Sequence, residues 1–224
     1  VKKKSQGCLQ LPWLHKGGTM IDIKNVNPAM LGKAAAFAGK GDWRHYLNGV
    51  YIEKRPEGGV YIVATNAHVM CVYADKKAVV ENDFDPVILK CHVDKVCGNA
   101  GSKVNTLFTN LKKANCARVD IYEINGNLTI DGNVVEEICG KFPDWRQVIP
   151  KVEDLNLEQQ FYDTKYLKLL HEFPIDKKFP SLGFVGGSDQ KASVWTNHDG
   201  LVLIMPRISS LGHQANTEIL KEVA

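Results

Sequence analysis

From Met20 onward the apolar positions change period in a fixed order: a short alternating run, a three-and-four spacing, then three further runs of strand character. That order occurs three times. In the first copy Ile21 to Lys24 is a strand, and Asn27-Pro28 supplies an N-cap followed by a proline at the first helical position. The helix presents Leu31, Ala34, Ala35 and Ala38 on one face and stops at Gly39. Strands follow at Leu47 to Glu53, Val60 to Thr65 and Val69 to Tyr73, the first two joined by the turn Pro56-Glu57-Gly58-Gly59.

The second copy opens with a strand at Val87 to Cys91. Ser102 then caps a helix whose apolar positions Val104, Leu107, Phe108 and Leu111 are the clearest amphipathic signal in the chain. A hairpin of Val119 to Ile124 and Leu128 to Ile130 turns at Asn125-Gly126-Asn127, and Val134 to Cys139 completes the set. In the third copy Leu155 to Phe161 is the strand, and Asp163 caps a helix that buries Tyr166, Leu167, Leu170 and Phe173. Leu182 to Val185, Ala192 to Thr196 and Leu201 to Met205 are the remaining strands, and Pro206 ends the last. Repeated β-α-β-β-β units place the chain in the α+β class.

Composition narrows the function. With 224 residues, 44% of them apolar, the chain can bury a substantial core, and no apolar run is long enough to span a membrane. The net charge of +3 is too mild to make the whole surface a polyanion binder, so any such surface rests on local lysines. The six cysteines have irregular spacing and no C-x-x-C pair, which reads as reduced, mostly buried thiols in a cytoplasmic protein. Residues 1–19 look foreign to the repeats. Lys16-Gly17-Gly18-Thr19-Met20 back-translates to a purine-rich ribosome-binding site before a start codon, so Met20 is expected to be the start of a bacterial or phage gene.

Three segments carry a family resemblance: Tyr46-Leu47-Asn48-Gly49, Ala64-Thr65-Asn66-Ala67-His68, and Phe142-Pro143-Asp144-Trp145-Arg146-Gln147-Val148-Ile149-Pro150. In this order and at these separations they resemble the middle domain of the bacterial DNA polymerase III β subunit, the sliding clamp. The ending Leu203-Ile204-Met205-Pro206-Arg207-Ile208 is similar to that family's C-terminus. The resemblance implies the DNA-clamp fold, with sheets outside and helices inside. It divides the chain into a leader (1–19), one complete two-unit domain (20–151), a half domain (152–208) and a tail (209–224).

The family binds short peptide motifs of polymerases and clamp loaders in an apolar pocket. Carried over by position, the resemblance assigns to it Leu47, Thr65, Ala67, His68, Met70, Pro143, Gln147 and Val148. From the third unit it adds Asp163, Tyr166, Ser193, Leu203, Ile204, Met205, Pro206 and Arg207. Ala67 stands where glycine is common, and Val69 and Gln147 stand where arginines are common, so the site is expected to be less basic than usual. Lysines on or beside the three helices, namely Lys33, Lys40, Lys103, Lys112, Lys113, Lys165 and Lys168, are the candidates to face double-stranded DNA without reading its sequence. Gln10-Leu11-Pro12-Trp13-Leu14 in the leader loosely resembles the Gln-Leu-x-Leu-Phe peptides that clamps bind.

No catalytic motif emerges. His68 lacks a nucleophile and carboxylate at motif spacing and reads as a turn histidine, while Cys91, His92 and Cys97 fit no zinc pattern. No cofactor is implied. Two functions follow: a shortened clamp-like tether that assembles into a homo-oligomer around DNA, or an adaptor or decoy that captures peptide motifs without forming a ring. Pairing of half domains from two chains is the expected route to assembly.

Overall fold

The computed structural model describes residues 20–93, 103–114, 117–155, 162–176, 178, 180–188 and 191–206. They fall into two compact units that divide between Phe142 and Pro143. Among the described residues no helix is long and apolar enough to cross a membrane.

The first unit holds two copies of the repeat. Copy one runs β1 (Asp22–Val26), α1 (Pro28–Ala34), β2 (Gly49–Lys54), β3 (Val60–Thr65), β4 (Val69–Asp75) and a short β5 (Val79–Val80). Copy two runs β6 (Val87–Lys90), β7 (His92–Val93), β8 (Lys103–Val104), α2 (Thr106–Lys113), β9 (Val119–Ile124), β10 (Asn127–Ile130) and β11 (Asn133–Val134).

The two copies exchange their first strands. The antiparallel set β4-β3-β2 is extended on the β2 side by β6, and the set β11-β10-β9 is extended on the β9 side by β1. Each copy then returns to flank its own first strand: β5 pairs with β1, and the stretch after β11 bridges β6 at Leu89 and Glu137. The stretch Val134 to Cys139, expected from its spacing to be one strand, is divided in the structure. Only its start pairs with β10, and the rest follows β6 through Lys90 N–H to Glu136 O and Ile138 N–H to Ile88 O, both 2.8 Å.

The helices α1 and α2 cross at Gly32. A Cβ there would sit 2.1 Å from the Lys112 backbone nitrogen and 2.6 Å from the Phe108 carbonyl oxygen, so this contact requires glycine. Phe37, Tyr73, Phe108, Ile121 and Ile130 fill the core around it, fully buried. Arg118 places a bidentate guanidinium on the buried Asp75 carboxylate (2.9–3.1 Å), which also accepts the Asn27 N–H that precedes α1 (2.6 Å). One carboxylate thus links the end of β4, the entry to α1 and the entry to β9. A buried charge with fewer partners would be costly to desolvate.

Capping decides the helix starts. Asn27 Oδ1 accepts from Ala29 N–H with Pro28 at the first helical position, as expected. For α2 the cap is Asn105, whose Oδ1 accepts from Leu107 N–H at 3.0 Å, and not Ser102, which lies outside the described residues. Val104 is consequently not helical: it pairs with His92 in a two-stranded ladder. A second correction concerns Leu47. Residues His45–Asn48 form a 3-10 turn before β2, held by Leu47 N–H to Arg44 O (2.9 Å) and Gly39 N–H to Leu47 O (2.7 Å). The Asn125-Gly126 turn has positive φ at both residues (51° and 74°), the type I′ geometry expected for this hairpin.

The second unit contains 3-10 turns at Trp145–Val148 and Val152–Asp154, then α3 (Thr164–Leu170), β12 (Gly183–Ser188), β13 (Lys191–Asn197) and β14 (Gly200–Ile204). The three strands form an antiparallel set in the order β12-β13-β14, and α3 contacts β14. Asp163 caps α3 as expected, accepting from Lys165 N–H at 3.0 Å. The helix buries less than its spacing predicts. Tyr166, Leu167 and Leu170 are half-buried, and Phe173 beyond its end is the fully buried residue. Of the strand expected at Leu155 to Phe161, residues 156–161 lie outside the described residues.

Candidate functional site

The turn between β3 and β4 is built from side chains. Thr65 Oγ1 donates to Val69 O (2.9 Å) and accepts from Ala67 N–H (3.1 Å). Asn66 Oδ1 accepts from the N–H groups of His68 and Val69, both at 3.0 Å. These bonds hold Ala67 at φ 71°, the left-handed region, where a Cβ is disfavoured. The turn presents Ala67 and His68 to solvent while Thr65 and Met70 are buried beneath it. Leu47 is buried as well, so in this unit the assigned positions split into three buried residues, Leu47, Thr65 and Met70, and an exposed turn tip, Ala67 and His68.

In the second unit Asp144 caps the 3-10 turn Trp145–Val148 by accepting from Arg146 N–H, and Gln147 Nε2 donates to Asp144 Oδ2 at 3.1 Å. Trp145 is buried, with the Arg146 guanidinium 4.1 Å from its ring centre. This rigid anchor leaves Pro143, Gln147 and Val148 exposed, Val148 at 51%. The pattern of a buried aromatic beside exposed neighbours is what an i, i+3 turn produces when one side alone is packed.

Around α3 and β14 the assigned residues also separate by burial. Ser193, Leu203 and Ile204 are buried, Tyr166 and Asp163 are half-buried, Met205 is 41% exposed and Pro206 is partly exposed. Ser193 and Ile204 are cross-strand partners. The contact of α3 with β14 places Tyr166 and the β14 residues on neighbouring elements, with Met205 and Pro206 continuing from β14. Asp163 forms an ion pair with Lys165 at 3.0 Å, which raises the Lys165 ammonium pKa, and that ammonium lies 4.6 Å from the Tyr166 ring centre. Arg207 lies outside the described residues.

Sequence reasoning missed Tyr162 and Val152. Tyr162 shares a hydrogen bond with the Ser193 hydroxyl and meets Trp195 edge-on at 5.5 Å, and burial pushes its phenol pKa up. Val152 is 80% exposed, four residues beyond Val148. The signal for both was apolar or aromatic character next to an assigned motif.

The lysines are not equivalent. Lys33 is buried in α1, at 7% exposure, instead of lying on a solvated helix face, because α1 packs on β3 and β4 as well as on α2. Lys40, Lys113 and Lys168 are exposed, and Lys112 is partly so. Lys165 is exposed but paired with Asp163, and Lys103 stands in β8.

Among the described residues no cluster of histidine, cysteine and carboxylate side chains is suited to hold a metal ion. Cys71, Cys91 and Cys139 are free thiols. Burial pushes the Cys71 thiol well up and Cys91 up to about 12, so neither is a thiolate nucleophile at neutral pH. His92 Nδ1 lies 3.2 Å from Cys91 Sγ, and burial lowers the imidazole pKa. This is a neutral, packed pair.

No family model matches the sequence, and no curated protein matches it. Solved structures do match by fold. A DNA polymerase sliding clamp from Pseudomonas aeruginosa with ligand aligns at a TM-score of 0.63 and 14% identity, covering 87% of this chain and 67% of that one. A sliding clamp (DNA polymerase III subunit beta) from Bartonella birtlesii bound to griselimycin gives 0.62 and 15%, with the same coverages. The DNA polymerase III beta subunit from Thermotoga maritima gives 0.60 and 12%, covering 90% and 69%. The chain therefore has the α+β DNA-clamp fold at about two thirds of the length of these clamps.

Proposed function

We propose that this clamp-folded chain is a non-enzymatic tether that captures short peptide motifs of replication or repair proteins. The observation that carries the reading is the surface of the second unit. Val148, Val152 and Met205 are large apolar side chains at 51%, 80% and 41% exposure, accompanied by exposed Pro143 and half-buried Tyr166. Large apolar groups presented by the Asp144-capped turn, the Val152–Asp154 turn and a strand end suit the anchor residues of a short peptide, with Gln147 and Asp163 as polar groups to orient it. Six of these positions, Pro143, Val148, Met205, Tyr166, Gln147 and Asp163, coincide with the positions the family resemblance assigns to peptide binding.

DNA contact is the second part of the proposal and is sequence-independent, through Lys40, Lys103, Lys112, Lys113 and Lys168. Lys33 is withdrawn from that set by its burial and Lys165 is engaged by Asp163. These losses weigh toward the adaptor form of the function, in which peptide capture does not require a closed ring. The proposed setting is the cytoplasm, as a homo-oligomer.

The test is fluorescence-anisotropy titration of a labelled Gln-Leu-x-Leu-Phe peptide against the Tyr166→Ala and Met205→Ala variants. Each truncation is expected to weaken binding about tenfold or more, the scale of a loss above 1 kcal/mol at an interface anchor. Unchanged affinity in both variants would refute this assignment of the peptide site.

A further inference from the structure

The sequence contains two Asn-Gly pairs, Asn48-Gly49 and Asn125-Gly126, and the fold treats them in opposite ways. Asn-Gly is the pair in which a side-chain amide is most open to attack by its own backbone, because glycine places no side chain beside the attacking nitrogen. The attack requires the glycine N and the asparagine Cγ to be brought together, so local geometry decides whether it occurs.

Asn48-Gly49 is closed to it. Asn48 Oδ1 accepts from Asp42 N–H at 2.9 Å and Asn48 Nδ2 donates to Asp42 O at 2.8 Å, which fixes the carboxamide. Gly49 is buried, and a Cβ on it would lie 2.5 Å from the Ile88 side chain and 2.7 Å from Leu89 O, so neighbours crowd this backbone.

Asn125-Gly126 is open to it. Ile124 to Asn127 are exposed at the tip of the β9–β10 hairpin, where Asn127 pairs with Ile124. Among the described residues neither the Asn125 carboxamide nor the Gly126 N–H is hydrogen-bonded, and one long bond, Asn127 Nδ2 to Asn125 O at 3.3 Å, holds the peptide between them. The backbone supplies the rest. Asn125 already has φ 51°, and types I′ and II′ both close a two-residue hairpin with positive φ at the first central residue. Flipping the Asn125–Gly126 peptide converts one type into the other while the strands stay paired, and glycine tolerates the change of φ sign that position 126 must make. The flip turns Gly126 N toward the Asn125 side chain.

We infer that the β9–β10 turn is a self-modification site at which Asn125 is deamidated. Deprotonated Gly126 N bonds to Asn125 Cγ, the Cγ–Nδ2 bond breaks, and Nδ2 takes up a proton and leaves as ammonia, closing a cyclic succinimide. Water then opens the ring. Cleavage between Cγ and N leaves aspartate, and cleavage between the backbone carbonyl carbon and N leaves isoaspartate, with the chain routed through the former side chain. The isoaspartyl product adds a methylene to a turn whose length sets the β9–β10 register, so it loosens the Ile124–Asn127 pair. Asp131-Gly132 shares the positive φ values, but Asp131 Oδ1 accepts from Asp120 N–H at 3.1 Å and a carboxyl has no ammonia to lose. Nothing in this chemistry depends on peptide capture or DNA contact.

The test is peptide mapping by mass spectrometry of the folded native chain during incubation in mildly alkaline buffer, beside the same chain unfolded in guanidinium chloride. In the folded chain the peptide holding Asn125 is expected to convert from amide to acid, as separable aspartyl and isoaspartyl isomers, and faster as pH rises. The peptide holding Asn48 keeps its amide over the same period and converts in the unfolded sample. An Asn125 peptide that stays an amide in the folded chain would overturn the inference. Equal conversion of Asn48 and Asn125 in the folded chain would overturn it too, because the turn would then confer nothing that unfolding does not.

Discussion

Ala67 shows how a single residue records a departure that sequence alone could only note. It stands where clamp sequences commonly have glycine, and its φ of 71° supplies the physical reason for that preference. An L-residue in the left-handed region costs roughly 1 kcal/mol relative to glycine. Ala67→Gly is therefore expected to stabilise the first unit by about that amount, read as a higher midpoint in urea unfolding with an unchanged slope. His92 gives the pH dependence. Burial lowers its folded-state pKa below the unfolded value of about 6.5, so between the two values the unfolded chain carries the extra proton. Its effect is absent above about pH 6.5, and stability falls as pH drops below that. Thermal unfolding from pH 7.5 to 5 should show this decline, and His92→Gln should flatten it. Exposure at this scale was legible only in part: Val148 and Met205 are on the surface, but Leu47, Ser193, Leu203 and Ile204, assigned by position to the same function, are core. Motif matching cannot distinguish a residue that touches a ligand from one that holds the strand beneath it.

At the scale of elements, the contact between α1 and α2 is the most sensitive point. Gly32→Ala adds a Cβ against the backbone of Lys112, which cannot rotate away as a side chain would. Helix propensity favours alanine by about 1 kcal/mol, and the forced separation of the helices opposes it with a larger cost of about 1–3 kcal/mol. Net destabilisation in chemical unfolding is expected, and a stabilised variant would mean that the helices do not meet at this glycine. The same element scale explains which boundaries were readable. Asn27-Pro28, Asp163 and Asn125-Gly126 are local signals, and each sits where its chemistry predicts. Val104 and Leu47 depart from the local pattern because backbone hydrogen bonds to other segments override it. Val104 fits a helical spacing but is drawn into a ladder with His92, and Leu47 is held in a 3-10 turn by Gly39 and Arg44. Lys33 belongs with them, because the burial of both sides of α1 depends on strands far along the chain.

At the scale of the whole molecule, the order of elements was legible from periodicity, whereas the exchange of first strands between copies was not. Hydrophobic spacing reports which residues face a core but not which sheet supplies the neighbour, and that is decided by pairing between distant segments. The exchange explains why two copies make a stable domain: each lends a strand and a helix face that the other lacks. The fold is that of the sliding clamps at about two thirds of their length, and the proposed function is peptide capture through Val148, Tyr166 and Met205. The most direct measurement is calorimetric titration of the native chain with a Gln-Leu-x-Leu-Phe peptide and with the same peptide carrying alanine at the second leucine and the phenylalanine. One saturable site for the first peptide, lost for the second, is the predicted result. Absence of binding, or equal binding of both peptides, would contradict it.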